Sequence, residues 1–200
     1  MGRTKNFLMK HQLVFATNNV HKLEEVEAKV GDIFDILSLK DINCDEDIEE
    51  TGITLDENAS IKSNYIYQKY QINCFGDDTG LEIFALNNEP GVYSARYSGE
   101  RDFVKNMNLV LAKMEGLSNR KARFRTVISL ILNHKEYQFE GIVEGSIRTE
   151  PIGNAGFGYD PIFEPDGYAI TFAEMDLIEK NKISHRARAM DQLINFLKRA

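Results

Sequence analysis

Cysteine is scarce in this 200-residue chain, and what there is makes no motif. Cys44 and Cys74 stand alone without a C-x-x-C pair, and the four histidines are scattered, with no H-E-x-x-H and no Cys/His grouping. A disulfide framework and a structural zinc are therefore not expected. Long apolar runs are also missing: none reaches the ~18 residues that cross a bilayer. The charged N-terminus lacks the apolar stretch of a secretory signal. A cytoplasmic protein with no membrane partner is the expectation. Surplus positive charge is absent too. A formal net charge of −7 argues against a nucleic-acid polymer as partner, which would demand an excess of Lys and Arg against phosphate. A small anionic ligand stays open, because a pocket can be locally basic on an acidic protein. There are no internal repeats, heptads or low-complexity linkers, and only four prolines. A scaffold role and a domain boundary both lack support.

What is present is an ordinary soluble composition, 42% hydrophobic and 28% charged, sufficient for one domain over residues 1–200 with a real core. Met9 directly precedes Lys10-His11-Gln12 and a strand pattern, so residues 1–8 are expected to be an expression remnant.

Strand and helix patterns alternate. Gln12 to Thr17 is a short apolar run of strand type. Leu23, Val26 and Val30 then repeat at helical spacing, with Lys and Glu on the other face. Phe34 to Leu39 predicts a second strand, and the acidic stretch Asp41 to Glu50 a loop. Thr54-Leu55-Asp56-Glu57 fits a capping box and starts a helix to about Tyr70. Ile72–Gly76 and Leu81–Leu86 predict two strands on either side of Asp77-Asp78-Thr79-Gly80, read as a turn. A helix follows over Asp102–Met114. A hairpin is expected from Ala122–Leu132 and Tyr137–Glu144. Ser184 opens the last helix, with Ala187, Met190, Ile194 and Leu197 on one stripe. The interleaving predicts an α/β protein with a mixed sheet.

Four clusters carry possible chemistry. Adjacent carboxylates Asp77 and Asp78 repel one another, and a divalent metal would relieve that and could hold a phosphate; a plain Asx turn is the competing reading. Glu49 or Glu50 could add a second carboxylate. Thr17-Asn18-Asn19-Val20-His21-Lys22 runs from strand end to helix start, where free N–H groups favour an anion; simple capping by Asn explains it as well. The Walker spacing is missing. Gly156-Phe157-Gly158-Tyr159-Asp160 offers close backbone approach, a ring for a purine and an acceptor, or merely a loop that fills the core. Lys180 stands before Ser184-His185-Arg186, and Ser184 as N-cap puts His185 and Arg186 in a first helical turn, where the dipole disfavours cations unless a ligand or a neutral His removes the conflict; two exposed side chains that tolerate a small cost are the competing reading.

Taken together and in order, these segments resemble the inosine triphosphate pyrophosphatases, house-cleaning enzymes that hydrolyse aberrant purine nucleoside triphosphates. The matching pieces are Thr17-x-Asn19-x-x-Lys22, Glu49-Glu50-Thr51-Gly52, Glu57-Asn58-Ala59-x-x-Lys62, Asp77 to Leu81, Gly91 to Tyr97, Gly156 to Pro161 and Ser184-His185-Arg186, covering the chain from Gln12 onward. The resemblance implies a long mixed β-sheet flanked by helices, two lobes with a central cleft, a homodimer and Mg²⁺. It implies Asp78 as base and metal ligand and Glu50 as the second metal carboxylate. Thr17, Asn18, Asn19, Val20, His21, Lys22, Lys62 and Thr79 would hold the phosphates. Phe157, Gly158 and Tyr159 would meet the purine, and Asp160, Lys180, His185 and Arg186 would line the base pocket. Asn18 stands where many members have Gly. Two rivals remain at this point, a related pyrophosphatase for modified pyrimidine or methylated nucleotides and a nucleotide sensor without turnover.

Overall fold

A computed structural model describes residues 11–30 and 34–199; the expectation for residues 1–8 lies outside them. The elements run β1 (His11–Phe15), α1 (Val20–Val30), β2 (Phe34–Leu37), α2 (Leu55–Tyr70), β3 (Cys74–Ile83), β4 (Glu89–Pro90), α3 (Phe103–Lys113), β5 (Lys121–Leu132), β6 (Lys135–Ile147), β7 (Phe163–Pro165), α4 (Leu177–Ile183) and α5 (His185–Leu197). The strands form one seven-stranded sheet in the order β2-β1-β3-β5-β6-β7, with β4 pairing β3. β1 is parallel to β2 and β3, and the remaining pairs are antiparallel. The mixed α/β sheet expected from the alternation is thus observed. No helix among the described residues is long and apolar enough to cross a membrane.

Local chemistry accounts for the boundaries. Thr54 and Glu57 form the reciprocal capping box that starts α2. Asp102 accepts from the Lys105 N–H at the start of α3, and Ser184 from the Ala187 N–H at the start of α5. Between β5 and β6, Asn133 and His134 both take positive φ, 50° and 68°, as a tight two-residue hairpin turn requires.

One expectation is overturned. Asp77-Asp78-Thr79-Gly80 is not a turn between two strands but the middle of the single strand β3, paired throughout with β5. Because side chains alternate across a strand, Asp77 and Asp78 leave on opposite faces of the sheet. Asp77 meets Lys22 of α1 and Arg186 of α5. Asp78 meets Asn58 and Lys62 of α2. The backbone itself relieves the repulsion between the neighbouring carboxylates.

β3 also joins two lobes. Phe75 belongs to a core with Leu13, Phe15, Val26, Met190 and Leu193. Leu81 and Ile83 belong to another, with Val110, Phe124, Phe163 and Phe172. The acidic middle lies between them. β1 pairs β3 only at Cys74 and Phe75, and β4 only at Glu82 and Ile83. Between those points the β3 edge opposite β5 has no strand partner among the described residues, and this gap in the sheet is where the cleft opens. Burial of apolar area on either side, worth ~25 cal/mol per Å², fixes the lobes around it.

Candidate active site

A cleft of about 470 Å³ opens there, lined by every residue to which the resemblance assigned a role, Asn18 and Gly158 included. That volume is in the range of small-molecule sites. Glu49 is exposed and is not among the lining residues, whereas Glu50 is.

The strand-to-helix turn is built by short hydrogen bonds. Asn19 Oδ1 accepts from the N–H groups of His21 and Lys22 at 3.1 and 3.3 Å, so Asn19 does cap α1. The Thr17 hydroxyl accepts from the Asn19 N–H at 3.1 Å. Asn18 is not among the residues with positive φ, so the side chain in place of Gly carries no backbone strain. The His21 ring stacks on Phe157, centroids 5.2 Å apart and planes 14° from parallel.

On one face of β3, α2 approaches so closely at Gly76 that a Cβ there would lie 2.8 Å from Lys62 Cβ and 2.9 Å from the Ala59 carbonyl. This contact aims Asn58 and Lys62 at Asp78. Asn58 Nδ2 donates to Asp78 at 3.1 Å, while its Oδ1 accepts from the Gly52 N–H at 2.8 Å. One amide thereby fastens the Glu50 loop to the Asp78 strand. Lys62 Nζ lies 2.7 Å from Glu50 and 3.6 Å from Asp78. Arg96 reaches Glu50 at 3.4 Å. Burial pushes the Asp78 carboxyl above its ordinary range, Lys62 opposing and Glu50 assisting. Burial would also raise Glu50, but Lys62, Lys22 and Arg101 together outweigh it and hold the group low.

On the other face, α5 sits on β6 at Gly141, where an added Cβ would fall 2.0 Å from the His185 carbonyl. His185 and Arg186 are thereby driven into the protein, 4% and 3% exposed. Arg186 donates through Nε to Asp77 at 3.3 Å, through Nη2 to Thr79 at 3.3 Å, and through Nη1 to Glu25. Lys180 bonds Glu25 at 2.6 Å and Asp160 at 2.8 Å. Asp160 also accepts from the Phe157 N–H at 2.8 Å. Lys22 bonds Asp77 at 2.9 Å. Burial alone would raise Asp77, yet Lys22 and Arg186 hold it far below the carboxylate range. His185 is kept neutral by burial and by the cations Arg186 and Lys180. It stacks on Phe124 at 4.7 Å, and its Nδ1 has no hydrogen-bond partner among the described residues. The helix-dipole conflict is resolved by neutralising His185 and pairing Arg186. Tyr159 satisfies both of its readings, packing in the core while its hydroxyl donates to the Ser94 carbonyl at 2.8 Å.

Several residues escaped the sequence reading. Arg101 and Phe103 line the cleft, and Phe103 approaches Phe157 with centroids 6.2 Å apart. Asn58 lay within a quoted motif but had no role. Glu25, 5% exposed, was placed on the solvated face of α1. Its one sequence signal is its position three residues after Lys22, on the same flank of the helix.

The sequence profile of the Ham1 family matches residues 13–196. A curated protein of Flavobacterium psychrophilum named dITP/XTP pyrophosphatase is 52% identical over 188 residues, covering 94% of this chain and 99% of its own. One of the same name from Porphyromonas gingivalis is 48% identical, covering 93% and 97%. Among solved structures, a HAM1 protein from Coxiella burnetii superposes with a TM-score of 0.87 at 38% identity, covering 95% of this chain and all of its own. The Staphylococcus aureus Ham1 protein gives 0.85, also at 38%, covering 94% and 98%. The likeness to inosine triphosphate pyrophosphatases drawn from the motifs is borne out, and the chain belongs to the Ham1 family.

Proposed function

We propose that the cleft binds a 6-oxo-purine nucleoside triphosphate, such as inosine, deoxyinosine or xanthosine triphosphate, and hydrolyses it to the monophosphate and pyrophosphate. The observation that carries this is the meeting of seven separated segments on one cavity, with base-reading groups on one face of β3 and carboxylates on the other. The names of the relatives support the same substrates.

The donor set suits magnesium. Glu50 and Asp78 both face the Lys62 ammonium, so two hard oxygen ligands already share a cation. Among the described residues no group of three or more His, Cys, Asp or Glu could hold a metal. Mg²⁺ characteristically takes one or two carboxylates and completes its shell with phosphates and water. When bound, the ion would offset triphosphate charge and make nearby water more acidic.

The chain's own groups divide the remaining work. Lys22, Lys62 and the N–H groups at the start of α1 neutralise and position the phosphates, which is most of what phosphoryl transfer needs. Asp78 orients the attacking water and accepts its proton. Its raised pKa makes it a better base than an exposed carboxylate. Arg186 keeps guanidinium N–H groups beyond its three protein bonds, and these meet the 6-oxygen. Adenine presents an amino donor there, and a donor facing a donor is rejected. The free Nδ1 of His185 takes the next position on the base edge, and Phe157 stacks on the ring.

The test is a screen of pyrophosphate release from inosine, xanthosine, guanosine, adenosine and pyrimidine triphosphates, with and without Mg²⁺. The expected result is turnover confined to the 6-oxo purines and dependent on the metal, inosine and xanthosine leading. Preference for a pyrimidine, or binding without product, would overturn the reading. The homodimer, the cytoplasmic setting and the single catalytic domain over residues 1–200 belong to this proposal. Light scattering tests the first, fractionation the second and limited proteolysis the third.

A further inference from the structure

Glu25 is the buried acid that the proposed chemistry leaves without a task. It lies on α1, is 5% exposed, and is absent from the cleft lining. A lone carboxylate so placed would be costly, yet it sits at the crossing of two ion pairs. Its Oε1 takes Lys180 at 2.6 Å and its Oε2 takes Arg186. From Lys180 the chain of charges continues to Asp160 at 2.8 Å. From Arg186 it continues to Asp77 at 3.3 Å, and from there to Lys22 at 2.9 Å. Signs alternate along the whole path Asp160–Lys180–Glu25–Arg186–Asp77–Lys22. One end of this path touches Phe157 through the Asp160 carboxylate. The other ends at the strand-to-helix turn, and Asp77 is the backbone neighbour of Asp78.

We infer that Glu25 is a positioning residue that couples recognition of the base to alignment of the triphosphate. This rests on the 6-oxo-purine reading above. Two cations that would otherwise repel are held side by side by its two oxygens. Arg186 cannot turn toward a wrong base without loosening its bond to Asp77, and Asp77 fixes Lys22. An ill-fitting base is therefore penalised twice, in binding and in placement of the phosphates. Discrimination should appear in kcat as well as in KM, since interactions realised in the transition state move kcat.

The experiment compares wild type, Glu25→Gln and Glu25→Asp, with Glu24→Gln as an exposed neighbour, for inosine and adenosine triphosphate hydrolysis. Melting curves identify the variants that fold. For Glu25→Gln, kcat for inosine triphosphate should fall by about tenfold or more and the preference over adenosine triphosphate should narrow by a similar factor. Glu25→Asp keeps the charge but is one methylene short, and should recover part of both. If Glu25→Gln does not fold, Glu25→Asp alone decides, by whether its preference narrows. A lowered melting temperature with the preference intact would make Glu25 merely structural and overturn the inference. Wild type inactive on inosine triphosphate would instead overturn the functional reading beneath it.

Discussion

The two faces of β3 carry the same residue type at adjacent positions and treat it in opposite ways. On the Asp77 face, three anions (Asp77, Glu25, Asp160) meet three cations (Lys22, Lys180, Arg186) in a buried, fully paired array. On the Asp78 face, Lys62 pairs with both Glu50 and Asp78, with the half-exposed Arg96 at the far side of Glu50. The carboxyl pKa values follow: Asp77 is depressed by its cations and Asp78 raised by burial. The first face is finished before any ligand arrives, as a surface that reads a rigid heterocycle must be. The second is short of positive charge, as a surface that receives a metal and phosphates must be. A strand is what allows this, because a turn would have left both carboxylates in one environment.

The widest break in this comparison is Asp78→Asn. Turnover of inosine triphosphate should fall by about 10²–10⁴, the usual worth of a general base. The same variant should melt higher than wild type at pH 7. Asp78 has a folded-state pKa above its unfolded value, so the folded state holds the proton more tightly. Stability is then lost as pH rises through that window, and Asn removes the loss. Scanning calorimetry beside a pyrophosphate assay checks both, and unchanged turnover would remove Asp78 from its role.

Asp77→Asn should do the reverse in stability. The depressed Asp77 pKa contributes stability that is present above the unfolded value and lost as pH falls through the folded one. Removing the charge leaves Lys22 and Arg186 buried without their anion, a loss of about 3–5 kcal/mol by analogy with broken buried pairs. Denaturant titration at pH 7 measures it. Equal shifts of the same sign at positions 77 and 78 would refute the division into two faces.

How far this was visible beforehand depended on whether local chemistry and tertiary placement agreed. α1, α2 and the β5–β6 hairpin were legible because apolar spacing, a capping box and turn residues all pointed one way. The centre of β3 was not, because Asp and Gly favour turns and are poor strand formers. Only pairing with β5 along its whole length overrides them. The seven-residue α4, Leu-Ile-Glu-Lys-Asn-Lys-Ile, is too short and too polar for a periodic signal. Within the cleft, Thr17 to Lys22 and Ser184 to Arg186 were found because chemistry-bearing residues coincided with helix starts. Glu25 was missed because a glutamate on an amphipathic helix is normally solvated, and the cations that bury it lie far along the chain at positions 180 and 186.

A smaller effect sharpens the Asp78 face. Lys62 holds down the pKa of Asp78 while burial and Glu50 push it up. In Lys62→Met the restraining cation is gone, so the acid limb of kcat/KM should move to higher pH. A pH profile from 4 to 9 of wild type and variant reads it. A limb that stays in place, or moves down, would mean that the ionisation in the profile belongs to another group.

The smallest expected effect is none, and it tests the finished face. His185 would ordinarily titrate near pH 6.5, in the middle of any activity profile. Here burial, Arg186 and Lys180 all disfavour the imidazolium, and no carboxylate bonds to its free Nδ1. The ring also lies flat on Phe124 and near Phe172, so protonation would place a charge against apolar carbon. A neutral imidazole is what a hydrogen bond to the base edge calls for, and it should persist through neutral pH. The wild-type profile should therefore lack a limb near pH 6.5 that His185→Gln abolishes. If such a limb exists, the base-reading face changes charge while it works, and its array of pairs is not complete without substrate.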